Sequence, residues 1–210
     1  MAGKKVVITI GRQYGSGGAD TGRRLAEELY DKNILRMNSD ESGIKESYFH
    51  LADEKAGNKL LYKIISSLTP EKGAPSFGSD LISADNLFRF QSEVIRKLAA
   101  EESCVIGRCA NYVLDGMEGL LRVYLYADID VREARIREKD LYDEKEVLKN
   151  IKRIDRERRD YHRYYTGRDW QELDNYDLVI NTTHIGVDGA VAVIKNYLTV
   201  MGYDLEKDFH

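Results

Sequence analysis

ITIGRQYGSGGADTGRRLAEEL, residues Ile8 to Leu29, runs from an apolar strand through a glycine cluster into an amphipathic helix. That succession is the layout of a loop that holds a nucleotide triphosphate. Glycine lets main-chain N–H groups approach an anion, and the amino end of the helix adds partial positive charge. Yet the phosphate-loop pattern G-x-x-x-x-G-K-[ST] is broken. Where it asks for glycine, glycine, lysine and a hydroxyl, the chain has Arg12, Gly17, Gly18 and Ala19. The dinucleotide pattern G-x-G-x-x-G also fails, because Gly15-Ser16-Gly17-Gly18-Ala19 is followed by Asp20.

Gly15, Ser16, Gly17 and Gly18 are accordingly assigned to phosphate, the alternative being no more than a tight turn. Thr21 either offers its hydroxyl to Mg²⁺ or phosphate or caps the helix. Asp20 joins the same loop, or serves as an N-cap that competes with the anion. A transferring phosphoryl group needs a positive charge near it. Without the lysine, that charge falls to Arg12 at the end of the strand; the alternative is a surface arginine paired with a carboxylate.

Working outward, four apolar runs read as buried strands: Val6 to Ile10, Cys104 to Ile106, Val123 to Tyr126 and Leu178 to Ile180. They are continuous rather than alternating, as a parallel sheet covered on both faces requires. A fifth, short strand is expected near Ile34 to Arg36. Helical patterns separate the strands: Thr21 to Asp31, then Leu81 to Ala100 with Leu87, Gln91, Val94 and Leu98 on one stripe, and finally Val187 to Met201. The expected fold is a three-layer α/β domain with a doubly wound, five-stranded parallel sheet. One domain covers 1–210, with a helical acceptor-binding insertion at 37–80 and a lid region at 130–168.

Composition narrows the function classes. The formal net charge of −4 recruits no nucleic acid globally, so any polyanion must meet a local cluster. Cys104 and Cys109 form no C-x-x-C pair, and the four histidines show no metal-ligand spacing. Cys109 reads as a buried, inert thiol, with a nucleophile as the alternative. No run approaches the ~20 apolar residues that span a bilayer. The start of the chain goes straight into a strand, so a cytoplasmic protein is expected.

Two further segments carry charge. The strand CVIG ends in Gly107-Arg108, which points a guanidinium into the crevice where α/β ligands bind; a strand-end salt bridge is the alternative. IKRIDRERRDYHRYYTGR, from Ile151 to Arg168, holds six arginines. On one helix Arg156, Arg159 and Arg163 share a face, with Asp155/Arg159 and Arg156/Asp160 as i, i+4 pairs. A solvated, salt-bridged helix or an RNA-binding face interleaved with Tyr161, Tyr164 and Tyr165 would also fit. Set beside two phosphate-type glycine sites, the segment reads as a lid whose arginines neutralise a triphosphate and exclude water.

In this order and spacing, the segments ITIGRQYGSGG with RRLAEEL, YDKNIL with SDESGI, VIGRCANYVL, VYLYADIDVREARI, IDRERRDYHRYYTGRDW and YDLVINTT resemble the cytidylate kinase-like family, a branch of the P-loop nucleoside monophosphate kinases. The resemblance runs over nearly the whole chain. It implies ATP phosphates on Gly15 to Thr21, the acceptor's phosphate on Arg108, and a clamp made by Arg132, Arg156, Arg159 and Arg163. It also implies Asp160 near the acceptor, where Arg36 is expected too, and adenine against Asn181-Thr182-Thr183. Asp31, by position alone, would orient or deprotonate the acceptor. The chain departs from authentic cytidylate kinases at Gly18 in place of lysine and at Cys109 in place of the aspartate after Gly-Arg. It departs again where Lys32, Asn33 and Ile34 replace their acceptor motif, and Ala19 stands where related sequences carry a charged or imidazole group.

The expected activity is ATP- and Mg²⁺-dependent transfer of a γ-phosphoryl group to a small acceptor, a CMP- or dCMP-like nucleotide first. The alternative is a non-catalytic nucleotide-binding or regulatory protein with a degenerate loop. The expected partners are small molecules, with neither nucleic acid nor membrane; a homodimer is left open.

Overall fold

The computed structural model describes residues 6–29, 109–139 and 142–208, together with 88–89, 92–93, 95–96, 99–100 and 104–105. Among them, four strands form one parallel sheet: β1 Val7–Arg12, β2 Cys104–Val105, β3 Leu120–Tyr126 and β4 Leu178–Asn181. Their order is β2-β1-β3-β4. The helices are α1 Gly18–Leu29, α2 Ala110–Val113, α3 Ile129–Glu138, α4 Val147–Thr166 and α5 Gly186–Val200. The fifth strand expected near Ile34 to Arg36 and the insertion at 37–80 lie outside the described residues.

From Val7 to Ile10 β1 has no solvent-facing side, because both of its faces are covered. Val6, Ile8 and Ile10 point into a cluster with Leu121, Val123, Leu125 and Ile180, closed by Leu25 and Leu29 of α1 and by Val191, Ile194 and Leu198 of α5. Val7 points the other way, into Ala99, Ala110, Val113 and Leu114. Farther along that second face, Tyr124 packs on Trp170 and Tyr176. These are the three expected layers. Burying side chains this size stabilises by about 1.5–3 kcal/mol each, which explains the continuous apolar runs.

β1 extends two residues past the expected end, because Gly11 pairs with Tyr124 and Arg12 with Leu125. Edge-on pairing, not hydrophobicity, carries the strand through Arg12. The residues described between 88 and 100 are helical. They turn Phe88, Ile95 and Ala99 toward the second core face, whereas Leu87, Gln91, Val94 and Leu98 lie outside the described residues. α4 ends at Gly167, whose φ of 70° lets its N–H reach the Arg163 carbonyl.

The strand order places the site. From β1 the chain goes to β2 on one side and later returns as β3 on the other, so direction reverses at β1. In an open parallel sheet the ligand crevice lies beyond the carboxyl ends of strands at such a reversal. Residues 13–17 occupy that position.

Candidate functional site: a glycine loop braced by three arginines

The loop leaves β1 with Gln13 N–H donating to the Leu125 carbonyl at 3.0 Å. Gly15 and Gly17 then adopt φ of 80° and 83°, a left-handed geometry that costs other residues about 1–2 kcal/mol. A side chain at Gly15 would also meet the Arg132 carbonyl at 2.9 Å. Ser16 is buried and its hydroxyl donates to the Gln13 carbonyl at 2.8 Å, tightening the turn. α1 begins at Gly18.

Three guanidinium groups hold the loop by its carbonyls. Arg158 of α4 donates to Arg12 O at 3.1 Å. Arg132 of α3 donates to Tyr14 O at 3.2 Å. Arg135, one turn on, donates to Ser16 O at 3.1 Å, and its other nitrogen donates to Thr182 O at 2.9 Å. With alternate carbonyls drawn outward, the N–H groups of Gly15, Gly17, Gly18, Ala19 and Asp20 have no partner among the described residues. Donors left over at a helix start are what an anion satisfies.

Asp155 locks the same loop from α4. Its carboxylate accepts the Tyr14 N–H at 2.7 Å and a 2.5 Å bond from Arg132, in a buried ion pair. Arg158 also lies over the Tyr14 ring at 5.5 Å.

Several expected roles change. Arg132, expected to clamp the transferred group, is 8% exposed and committed to Asp155 and Tyr14. The i, i+4 pair Asp155/Arg159 is replaced by Asp155–Arg132, and Arg156/Asp160 is no ion pair among the described residues. The cause is desolvation: a buried carboxylate takes the buried cation, while exposed neighbours stay hydrated.

Asp20 is the third residue of α1 rather than its cap, and it pairs with Arg23 and Lys139. Burial raises its pKa, but Lys139 and Arg23 hold it below the ordinary carboxylate range on balance. Thr21 is fully buried, with its hydroxyl donating to Gly17 O at 3.0 Å, so it neither caps α1 nor faces a metal. Thr21 therefore offers Mg²⁺ no ligand, and no cluster of three His, Cys, Asp or Glu among the described residues could hold a metal.

Thr182, expected beside adenine, is buried and donates its hydroxyl to Ser16 O at 2.8 Å while accepting from Arg135 at 3.0 Å. Asn181 is exposed at the end of β4, its side-chain oxygen accepting the Thr183 N–H. Arg156, Arg159, Asp160 and Arg163 are exposed on α4. Asp31, Arg36 and Arg108 lie outside the described residues. Cys109 is buried and not in a disulfide, consistent with an inert thiol.

Arg135, Arg158 and Asp155 build the site without having stood out in the sequence as site residues. The available signal was the Arg132, Arg135 spacing, which puts two cations on one face of the helix that follows β3.

A parallel α/β sheet with a glycine loop at its reversal point, leading into a helix whose first amides have no partner among the described residues, is an α/β architecture whose geometry suits an anion. Residues 7–184 match the cytidylate kinase-like family, and the chain belongs to that family. It is 30% identical over 203 residues to a cytidylate kinase of Methanopyrus kandleri, covering 90% of this chain and 91% of that protein. A cytidylate kinase of Pyrococcus horikoshii is 26% identical over 201 residues, covering 93% and 89%. The crystal structure of an uncharacterized protein from Eubacterium ventriosum superposes with a TM-score of 0.63 at 27% identity, over 93% of this chain and 99% of that one.

Proposed function

We propose that the protein is an ATP-dependent phosphotransferase that moves a γ-phosphoryl group onto a small phosphorylated acceptor, a pyrimidine nucleoside monophosphate such as CMP or dCMP first. The observation that carries this is the set of five amides at Gly15, Gly17, Gly18, Ala19 and Asp20 without a partner among the described residues, in a chain of a kinase-like family. An acceptor oxygen attacks the γ-phosphorus, the bond to the β,γ-bridging oxygen breaks, and ADP leaves with that electron pair. The chain's part is positioning and charge neutralisation. The amides seat the β-phosphate, and Arg156, Arg159 and Arg163 approach the triphosphate from α4. Asp160 and, from outside the described residues, Asp31, Arg36 and Arg108 address the acceptor. Asn181, exposed where β4 ends, offers its side chain to the adenine. A Mg²⁺ carried in with the nucleotide would be held mainly by phosphate oxygens and would supply further charge neutralisation.

The test is ADP release measured across CMP, dCMP, UMP and several non-nucleotide alcohols. Turnover is expected with at least one pyrimidine monophosphate and not with the alcohols. The second reading, a nucleotide-binding regulator, is favoured by Gly18 where the lysine belongs. ATP binding with no turnover on any acceptor would establish it.

A further inference from the structure

Two departures from the phosphate-loop pattern fall at complementary positions. With Gly17 matched to the second glycine, the pattern's first glycine falls at residue 12 and its lysine at residue 18. This chain has arginine at 12 and glycine at 18. The two residues touch. A Cβ added to Gly18 would lie 2.6 Å from both Cβ and Cδ of Arg12 and 3.1 Å from Cγ. Non-bonded carbons approach to about 3.5–4.0 Å, so the arginine stem fills the space in which a side chain on residue 18 would begin. A lysine at 18 and an arginine at 12 exclude each other in this geometry.

We propose that Arg12 and Gly18 are a reciprocal exchange of cation and glycine. Arg12 supplies to the β- and γ-phosphates, from the strand side of the loop, the charge that a lysine ordinarily brings from the helix side. The inference rests on the loop being an ATP site, as proposed above, and it names the residue that does the lysine's work there. The backbone of Arg12 is held from two sides, paired to Leu125 in the sheet and accepting from Arg158 at its carbonyl. The root of the side chain is therefore fixed by β1, whereas a lysine on the first turn of α1 would root in the helix. Arginine also brings a planar fork that donates two hydrogen bonds to one phosphate.

The exchange is tested by calorimetric titration of MgATP and AMP into the wild-type protein and four variants, with melting temperatures recorded alongside. Arg12→Gln keeps the stem over Gly18 and removes the charge. It is expected to weaken MgATP binding about tenfold or more, the size of a lost charge-assisted hydrogen bond, and to leave AMP binding unchanged. Arg12→Lys, which keeps stem and charge but not the fork, binds MgATP more tightly than Arg12→Gln and less tightly than wild type. Arg12→Gly weakens MgATP in the same way. Arg12→Gly with Gly18→Lys, which rebuilds the ordinary pattern, binds MgATP about tenfold tighter than Arg12→Gly alone. Wild-type affinity in Arg12→Gln, or a double variant no tighter than Arg12→Gly, overturns the exchange while leaving the ATP site standing. Failure of the wild-type protein to bind MgATP overturns both.

Discussion

The His162 imidazole is buried on α4, and Nδ1 lies 3.2 Å from the Arg168 carbonyl. A carbonyl only accepts, so the Nδ1–H donates and the neutral ring carries its lone pair on Nε2, which is buried and has no partner among the described residues. Protonating Nε2 would place a charge where nothing solvates it, and burial accordingly lowers this pKa below the ordinary histidine value, with the Arg168 carbonyl opposing. Because the unfolded chain takes up the proton near the ordinary pKa of about 6.5 and the folded chain resists it, stability from neutral His162 is present above that pH and lost as pH falls below it. Urea unfolding at pH 7.5 and pH 5.5 should show a steeper acid loss for the wild type than for His162→Gln, by at most about 1.4 kcal/mol per pH unit; equal slopes would refute this. A second contrast isolates the packing at the loop. Gly15 and Gly116 share φ near 80°, but only Gly15 has the Arg132 carbonyl 2.9 Å from where a methyl would stand, and Gly116 has nothing within 4 Å. Gly116→Ala should therefore lose only the left-handed term of about 1–2 kcal/mol. Gly15→Ala should lose clearly more and weaken MgATP binding as well. Equal losses in denaturant titrations would remove the steric argument.

The loop, α3 and α4 meet in one buried ion pair, and its energetics set a test between elements. Arg132 and Asp155 side chains are 9% and 12% exposed. Removing one partner strands the other, at a cost of about 3–5 kcal/mol, whereas replacing both by apolar groups is far milder. Arg132→Met and Asp155→Leu should each be strongly destabilising in urea titrations, and the double variant should recover most of the loss. It should not recover all of it, because the Tyr14 N–H then loses its Asp155 acceptor, a penalty of about 1–3 kcal/mol. Strictly additive losses would show that the pair is not coupled. Much of this architecture could be read from local pattern. Val7 to Ile10 betrays a strand covered on both faces, Ala190, Val191, Ile194 and Leu198 betray the α5 stripe, and Gly15 to Gly18 betray the turn. What escaped depends on distance along the chain. Asp155 has Arg159 four residues away on the same helix, so helical spacing favours that pair; the actual partner, 23 residues earlier, wins because both groups are buried together. Arg135 is likewise one of several polar residues on a charged helix, and only the fold brings it to Ser16 and Thr182 across 119 and 47 residues.

Across the molecule, charge is distributed so that the proposed anion site is an exception to its surroundings. The chain carries 36 acidic and 32 basic residues, so its overall field repels a polyphosphate and local cations must overcome it. The arginines of α4 differ in what they hold: Arg153 pairs with Glu157 on the same helix. Arg158 is spent on the loop carbonyl, while Arg156, Arg159 and Arg163 are exposed and have no ion pair among the described residues. At 3.6 residues per turn these three centre roughly 70° around the helix from Asp155, on the stripe beside the one that grips the loop. Exposed cations without an ion pair among the described residues, on an acidic protein and beside the proposed anion site, carry little folding energy, since exposed charges contribute about 0–1 kcal/mol even when paired. Changing all three to Gln should thus leave the melting temperature nearly unchanged. If α4 is the lid, kcat for phosphoryl transfer should drop on the order of 10²-fold or more, with ATP affinity falling less. Unchanged turnover would make the stripe a solvated helix face. A variant whose main deficit is polynucleotide binding, with a flattened salt dependence, would instead support the RNA reading.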